Sequence, residues 1–126
     1  MARPVRILLV EDNHVFREAL ELLFSLRDDV EVIASVSDGA TAAPACVEHR
    51  PDVVLMDYRL PGLDGVQATR AVREACPTAA VVVLTASAEG REIDALRAAG
   101  AIACLTKDQE LEEIVAAIKR AAEGRG

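Results

Sequence analysis

The sequence predicts a doubly wound α/β domain, in which an open five-stranded parallel sheet carries helices on both faces. Five short apolar runs alternate with five segments of helical spacing along the 126 residues. Such alternation is typical of a parallel sheet with right-handed crossovers. Three of the runs are apolar without interruption, which indicates strands covered on both faces. The length suits one domain, and five strands favour an open sheet over a closed barrel.

The strands are predicted where the apolar runs lie. Open sheets of this class bind ligands at the carboxyl ends of their strands, where the strand order reverses. The residues that follow the strands are therefore the first candidates for a functional site. The predicted strands span Val5 to Val10, Val30 to Ala34, Val53 to Met56, Ala79 to Leu84, and Ala101 to Leu105.

The first two helices carry different signals. Asn13 suits the cap of the first helix, because its side chain can accept a hydrogen bond from the first turn. Pro44 falls where the second helix should have its interior, at a cost of about 3 kcal/mol in a regular helix. We therefore expect a kink at Pro44, or a helix that starts late with Pro44 in its first turn. The residues that the first helix is expected to bury are Val15, Ala19, Leu22, Leu23 and Leu26.

The last three helices are bounded by caps and helix breakers. The third follows Asp64 and stops before Pro77, and the fourth ends at Gly100. Asp108 is the predicted cap of the fifth helix. The apolar residues at helical spacing are Ile93 and Leu96 in the fourth helix, and Leu111, Ile114, Val115 and Ile118 in the fifth.

Composition excludes several functions for this segment. The net charge is −7 and aromatic residues make up 2% of the chain, which argues against binding to nucleic-acid phosphates or stacking on bases. The sequence shows neither a signal peptide nor a run of about 20 apolar residues, so we expect a cytoplasmic protein without a membrane span. Cys46, Cys76 and Cys104 fit no zinc or disulfide spacing and are expected to be reduced, packed thiols.

Polar residues that can do chemistry follow four of the strands and should converge at one edge of the sheet. They are Glu11 and Asp12 after the first strand, Asp57 after the third, Thr85 after the fourth and Lys107 after the fifth.

Carboxylates about 4 Å apart repel by roughly 4 kcal/mol per pair at an effective dielectric near 20, which favours a bound cation. Hard oxygen ligands favour Mg²⁺. Asp57 could then attack phosphorus while Lys107 and Thr85 hold phosphoryl oxygens.

This set of residues resembles the receiver domain of bacterial two-component response regulators. The stretches from Leu55 to Gly62 and from Gly100 to Lys107 support the resemblance. Ser37-Asp38-Gly39 and Arg50-Pro51-Asp52 look most like receivers that precede LuxR-type helix-turn-helix domains. The resemblance implies a (βα)5 flavodoxin-like receiver fold with strand order 2-1-3-4-5. It assigns residues 1–123 to the receiver and 124–126 to a flexible tail or the start of a linker.

The resemblance also implies a role for each residue. Asp57 would accept phosphate from a sensor histidine kinase, in a domain that assists its own phosphorylation and dephosphorylation but is not an enzyme. Thr85 and Lys107 would bind the phosphoryl group, while Arg59 and Ser87 match positions that tune its lifetime. The expected Mg²⁺ ligands are the carboxylates of Asp12 and Asp57 and the backbone carbonyl of Arg59, with Glu11 reaching the ion directly or through water.

Phosphorylation would change the surface of the fourth helix, fifth strand and fifth helix. The subfamily resemblance favours transcription as the output, through a DNA-binding domain outside this chain, over a stand-alone receiver. Homodimerisation on phosphorylation is a further expectation. The commonest switch couples the threonine to an aromatic residue three positions before the lysine, where Cys104 stands here. We therefore expect activation to be transmitted weakly, or without the aromatic half of this switch.

Two other functions stay open. A pseudo-receiver would keep the fold and signal by interaction alone. The intact set of five site residues argues against this alternative, and the unusual Cys104 and Pro44 keep it open. A hydrolytic phosphatase on a similar sheet would generally need a second aspartate two residues after the nucleophile. Arg59 stands at that position, so the residues favour a phosphate acceptor.

Overall fold

The predicted sheet and its strand order are confirmed. The computed structural model describes residues 3–86 and 90–124. Its five strands pair in parallel in the order second, first, third, fourth, fifth. The predicted strand ends agree with the observed ones within two residues. The strands are β1 Val5–Val10, β2 Val30–Val36, β3 Val53–Asp57, β4 Ala80–Thr85 and β5 Ala103–Thr106.

Helices cover both faces of the sheet, as a doubly wound fold requires. The helices are α1 His14–Ser25, α2 Ala42–His49, α3 Gly65–Ala75, α4 Gly90–Ala99 and α5 Leu111–Gly124. One core cluster lies between the sheet and α1 and α5, and the other lies between the sheet and α2, α3 and α4. No helix in the described residues is long and apolar enough to cross a membrane.

The central strands are buried on both faces, as their uninterrupted apolar runs predicted. Every residue of β3 and β4 is buried, and β1 is buried from Ile7 onward. β1 and β3 are neighbours, and the chain leaves them for opposite sides of the sheet. A crevice therefore opens at their carboxyl ends, between the loops that follow Val10 and Asp57.

The predicted starts of the first three helices are confirmed. The Asn13 side chain accepts a hydrogen bond from Phe16 N at 3.1 Å, and Asp64 caps α3. α2 begins at Ala42, so Pro44 lies in its first turn. Proline is tolerated there because the first N–H groups of a helix have no partner within it.

The buried face of α1 was predicted wrongly. Leu20 and Phe24 are buried and Phe16 is half-buried, so residues four apart face the sheet. Both sides of this helix carry apolar residues, and periodicity alone does not decide which side packs inward. The residues predicted to be buried, namely Val15, Ala19, Leu22, Leu23 and Leu26, are all exposed.

The cap predicted for α5 is also wrong, although its apolar stripe is confirmed. α5 begins at Leu111, where the carbonyl of Glu110 accepts the first helical hydrogen bonds. Asp108 lies before the helix and accepts a hydrogen bond from the Thr106 hydroxyl. Gly124, the first residue of the predicted tail, is the last residue of the helix. Leu111 is half-buried, and Ile114, Val115 and Ile118 are buried.

Candidate functional site

Three carboxylates meet at the carboxyl ends of β1 and β3. Glu11 and Asp12 directly follow β1, and Asp57 is the last residue of β3. Each offers one carboxylate oxygen, and these oxygens lie within 4.8 Å of one another. Glu11 and Asp57 are 1% and 6% exposed, whereas Asp12 faces solvent. A cluster of oxygen ligands with one open side suits a hard divalent cation that keeps some of its water.

Lys107 extends from the turn after β5 into this cluster. Its Nζ lies 3.1 Å from Glu11 Oε1 and 3.2 Å from Asp57 Oδ1. Its backbone N–H donates to the carbonyl of Thr85 at 2.8 Å, which continues the pairing of β4 and β5 beyond the strand end. The end of the edge strand β5 thus places the Lys107 ammonium beside the carboxylates at the centre of the sheet.

The pKa shifts at the site reflect an excess of negative charge. Burial, together with the charge of Asp57, raises the pKa of Glu11 to about 6, although Lys107 and Asn13 both donate to its carboxylate. Burial lowers the pKa of Lys107, but the hydrogen bond to Glu11 and the charge of Asp57 raise it by more. The pKa of Lys107 therefore lies above its ordinary value. One ammonium does not balance three carboxylates, so the site retains attraction for a further cation.

The loop between β1 and α1 holds Glu11 in place. The backbone N–H of Asn13 donates to Glu11 Oε2 at 3.1 Å, and Nη1 of Arg17 donates to the Glu11 carbonyl at 2.9 Å. The role of Arg17 was not predicted, because an arginine on a helix surface gives no distinctive pattern. These contacts leave the Glu11 side chain little freedom to move.

The loop that follows Asp57 is fixed by close backbone packing at Gly65. Its N–H donates to the Tyr58 carbonyl at 2.8 Å, and a Cβ at Gly65 would lie 2.9 Å from Tyr58 Cα. A larger residue would displace Tyr58 and with it the neighbouring Asp57. Asp64 and Gln67 form a reciprocal capping box at the start of α3. α3 therefore begins at a fixed position relative to Asp57.

Thr85 and Arg59 lie at the same edge of the sheet as the carboxylates. Thr85 is the last residue of β4 and is buried; the preceding residue, Leu84, pairs with Asp57 in the sheet register. Arg59 is exposed, and its backbone N–H lies 3.4 Å from Asp57 Oδ1. The metal-binding role of its carbonyl stays a prediction. Ser87 lies outside the described residues.

The three cysteines are free thiols, as predicted. Cys104 is half-buried on β5, opposite Val83 of β4. Burial raises the pKa of its thiol, against the opposing charge of Arg97. Cys46 and Cys76 lie together between α2 and the end of α3, and burial with the neighbouring Cys76 raises the pKa of Cys46 to about 12. The thiols of Cys46 and Cys104 therefore resist ionisation, as is typical of packed rather than reactive cysteines.

Comparison with known proteins gives one consistent family. A family model described as the response regulator receiver domain matches residues 7–119. A curated relative from Mycobacterium tuberculosis, "Probable transcriptional regulatory protein NarL", is 37% identical over 121 residues, which are 96% of this chain and 56% of the relative. The chain thus spans just over half the length of this curated relative.

Solved structures with similar folds include a response regulator and the receiver domain of a kinase. A two-component response regulator of the LuxR family from Aurantimonas sp. SI85-9A1 has a TM-score of 0.90 at 33% identity, covering 97% of this chain and 87% of its own. The receiver domain of a sensor histidine kinase from Pseudomonas aeruginosa PAO1 has a TM-score of 0.81 at 31% identity, covering 96% of this chain and 99% of its own. That structure has a magnesium ion coordinated in its active-site cleft.

Proposed function

Because the chain belongs to the response regulator receiver domain family, we propose that it is a signalling switch in which Asp57 accepts phosphate from a sensor histidine kinase. One observation supports this choice above the others. The carboxylate of Asp57 lies 3.2 Å from the Lys107 ammonium and beside two further carboxylates that can share a cation with it. Acceptor, cationic partner and metal ligands thus occupy one crevice.

The transfer exchanges one bond to phosphorus for another. A carboxylate oxygen of Asp57 forms a bond to phosphorus, while the bond from phosphorus to the phosphohistidine nitrogen breaks and leaves its electron pair on the imidazole. Lys107 donates to one phosphoryl oxygen and the Thr85 hydroxyl to another. These donors stabilise the charge that spreads over the phosphoryl oxygens in the transition state.

The ligand set fits Mg²⁺. Oxygen donors that include one exposed carboxylate leave room for the water that Mg²⁺ usually retains, and the Pseudomonas aeruginosa receiver binds magnesium in its cleft. When bound, Mg²⁺ supplies positive charge to the phosphoryl oxygens. The residues that would hold it are Glu11, Asp12, Asp57 and, through its carbonyl, Arg59.

The output would be read from the surface of α4, β5 and α5. A phosphoryl group adds about −1.5 to −2 charges and three acceptor oxygens, which can bias a two-state surface through Thr85 and the adjoining loops. The NarL relative is a transcriptional regulator that extends well beyond the matched region. Under this proposal residues 1–123 act as the receiver, residues 124–126 begin a linker, and a DNA-binding domain outside this segment controls transcription. Homodimerisation on phosphorylation and a cytoplasmic location stay predictions.

Incubation with a small acyl phosphate and Mg²⁺ tests the proposal. We expect intact-mass spectrometry to detect one phosphoryl adduct that hydroxylamine removes and that decays slowly in buffer. Absence of an adduct would favour the pseudo-receiver, which signals by binding alone. Rapid release of phosphate over many turnovers would favour the phosphatase, whose second aspartate is replaced here by the exposed Arg59.

A further inference from the structure

The ammonium of Lys107 has a third neighbour besides the two carboxylates. Its Nζ lies 4.6 Å from the centroid of the Phe16 ring. We propose that Phe16 is a positioning residue, which holds Lys107 over the acceptor by a cation–π contact. The consequence for phosphorylation rests on the proposed function, whereas the contact itself does not.

The Phe16 ring is anchored in the fold and cannot follow a moving lysine. Phe16 lies in the first turn of α1, where its backbone N–H donates to the Asn13 side chain at 3.1 Å. The half-buried ring packs against the core cluster beneath α1 and α5. A group held by both a cap and the core keeps its geometry, which is what a supporting residue at a reaction site requires.

Lys107 needs such support most when the metal site is filled. Its side chain is 25% exposed and has a flexible four-carbon stem, so it can swing towards solvent. The carboxylates that attract it, Glu11 and Asp57, are also two of the proposed metal ligands. A cation bound there would weaken their pull and repel the ammonium directly. The attraction of the ring is independent of these charges, because it arises from the quadrupole of the aromatic system.

Phe24 supplies a matched control for Phe16. The two phenylalanines lie on the same helix and on its core-facing side, but Phe24 is fully buried in the core. A Phe-to-Leu change at either position keeps an apolar side chain and removes the ring. We expect F24L to lower stability and leave Lys107 in place. F16L should instead lose the cation–π contact while the helix and its cap persist.

The first measurement uses the ring current, which reports the contact without any phosphorylation. NMR of the purified chain should show the Lys107 ε-methylene protons shifted upfield in the wild type and in F24L, and released in F16L. An unshifted resonance in the wild type, or a shift that survives in F16L, would overturn the inference. If F16L does not fold, F16M provides the aliphatic side chain for the same comparison.

The second measurement is the rate of adduct formation from a small acyl phosphate at saturating Mg²⁺. We expect F16L to be slower by roughly three- to tenfold, in line with the strength of a partly buried cation–π contact. F24L should react at the wild-type rate, and F16W or F16Y should restore most of it. Equal rates in F16L and wild type, equal slowing in F24L, or no rescue by the aromatic variants would each contradict positioning by the ring. A wild type that forms no adduct would instead refute the proposed function and leave the NMR result standing.

Discussion

The Nζ atom of Lys107 lies 3.2 Å from Oδ1 of Asp57, although Lys107 follows β5, Asp57 ends β3, and β4 lies between these two strands. The lysine also lies 3.1 Å from Glu11, so two of the three clustered carboxylates share its charge. A divalent cation at the same carboxylates would meet this ammonium. Under the proposed function, Lys107 would therefore be both a partner for the phosphoryl group and an electrostatic competitor of the metal.

Replacement of Lys107 by methionine separates these two roles. We expect K107M to bind Mg²⁺ more tightly than wild type, by roughly tenfold, because a repelling charge a few ångströms away is removed. The same variant should form the Asp57 adduct more slowly, because one phosphoryl oxygen loses its donor. Isothermal titration and adduct kinetics give the two values. K119M, at an exposed lysine of α5, is the control, and weaker Mg²⁺ binding by K107M than by K119M would contradict the competition.

Removal of the exposed carboxylate tests the metal site itself. D12N should weaken Mg²⁺ binding by at least roughly tenfold, because one negative charge leaves the ligand set. D94N removes an exposed aspartate from α4 and should leave the affinity unchanged. Titration of Mg²⁺ followed by amide chemical shifts of residues around Asp57 measures both affinities. Equal affinities for D12N and wild type would exclude Asp12 from the ligands.

An ionic network between the end of α1 and α5 predicts a dependence of stability on pH. Arg27 donates two hydrogen bonds of 2.9 Å to Asp29, and Lys119 lies 3.3 Å from the same carboxylate. The bonds from Arg27, aided by Lys119, hold the pKa of Asp29 well below its ordinary value. Because the pKa of Asp29 is lower in the folded state than in the unfolded state, its ionised carboxylate stabilises the fold. This stabilisation is fully present above the unfolded pKa near 4 and is lost as the pH falls.

D29N should therefore lower the free energy of unfolding at pH 7 by about 1 kcal/mol, and the deficit should shrink below pH 4. Urea unfolding of wild type and D29N at several pH values between 7 and 2 measures this difference. D28N, at the exposed neighbouring aspartate, is expected to match wild type throughout. A deficit for D29N that stays constant with pH would show that the network does not act through ionised Asp29.

Cys104 sets an expectation for how phosphorylation is transmitted. Its half-buried thiol is too small to exchange between exposed and buried positions as an aromatic ring does. A phosphoryl mimic such as beryllofluoride with Mg²⁺ should change amide shifts around Asp57 and Thr85, with smaller changes in α4 and β5. C104Y should enlarge the changes in α4 and β5 by supplying the ring. Large changes there in the wild type, equal to those in C104Y, would contradict the expectation.

The sheet and the convergence of the site residues were predictable because they depend on strong local signals, whereas the strand order followed from the resemblance to receiver domains. Uninterrupted apolar runs mark buried strands, and the topology then brings their carboxyl ends together. The rotation of α1 was not predictable in this way, because apolar residues lie on both of its sides. The face of α1 that contains Leu22 was expected to pack on the sheet, whereas the face that carries Phe16 does so.

That error also hid the contact between Phe16 and Lys107. The ring reaches the lysine only because the face that carries Phe16, Leu20 and Phe24 packs on the sheet. Asp108 was misjudged for a related reason, since the chain needs three residues after Lys107 before α5 can start at Leu111. The contact of Phe16 with Lys107 and the start of α5 both depend on how the helices and loops pack against the sheet. No short stretch of the sequence carries that information.

The most direct test compares two aspartates that flank β3. Asp52 precedes the strand and Asp57 ends it, at opposite edges of the sheet, and each is 6% exposed. Wild type, D52N and D57N are incubated with a small acyl phosphate and Mg²⁺, and the adduct is mapped by tandem mass spectrometry. Phosphorylation of Asp57 predicts one adduct on the peptide that contains it in wild type and D52N, and none in D57N. No adduct in the wild type, or an equal yield in D57N, would contradict the account.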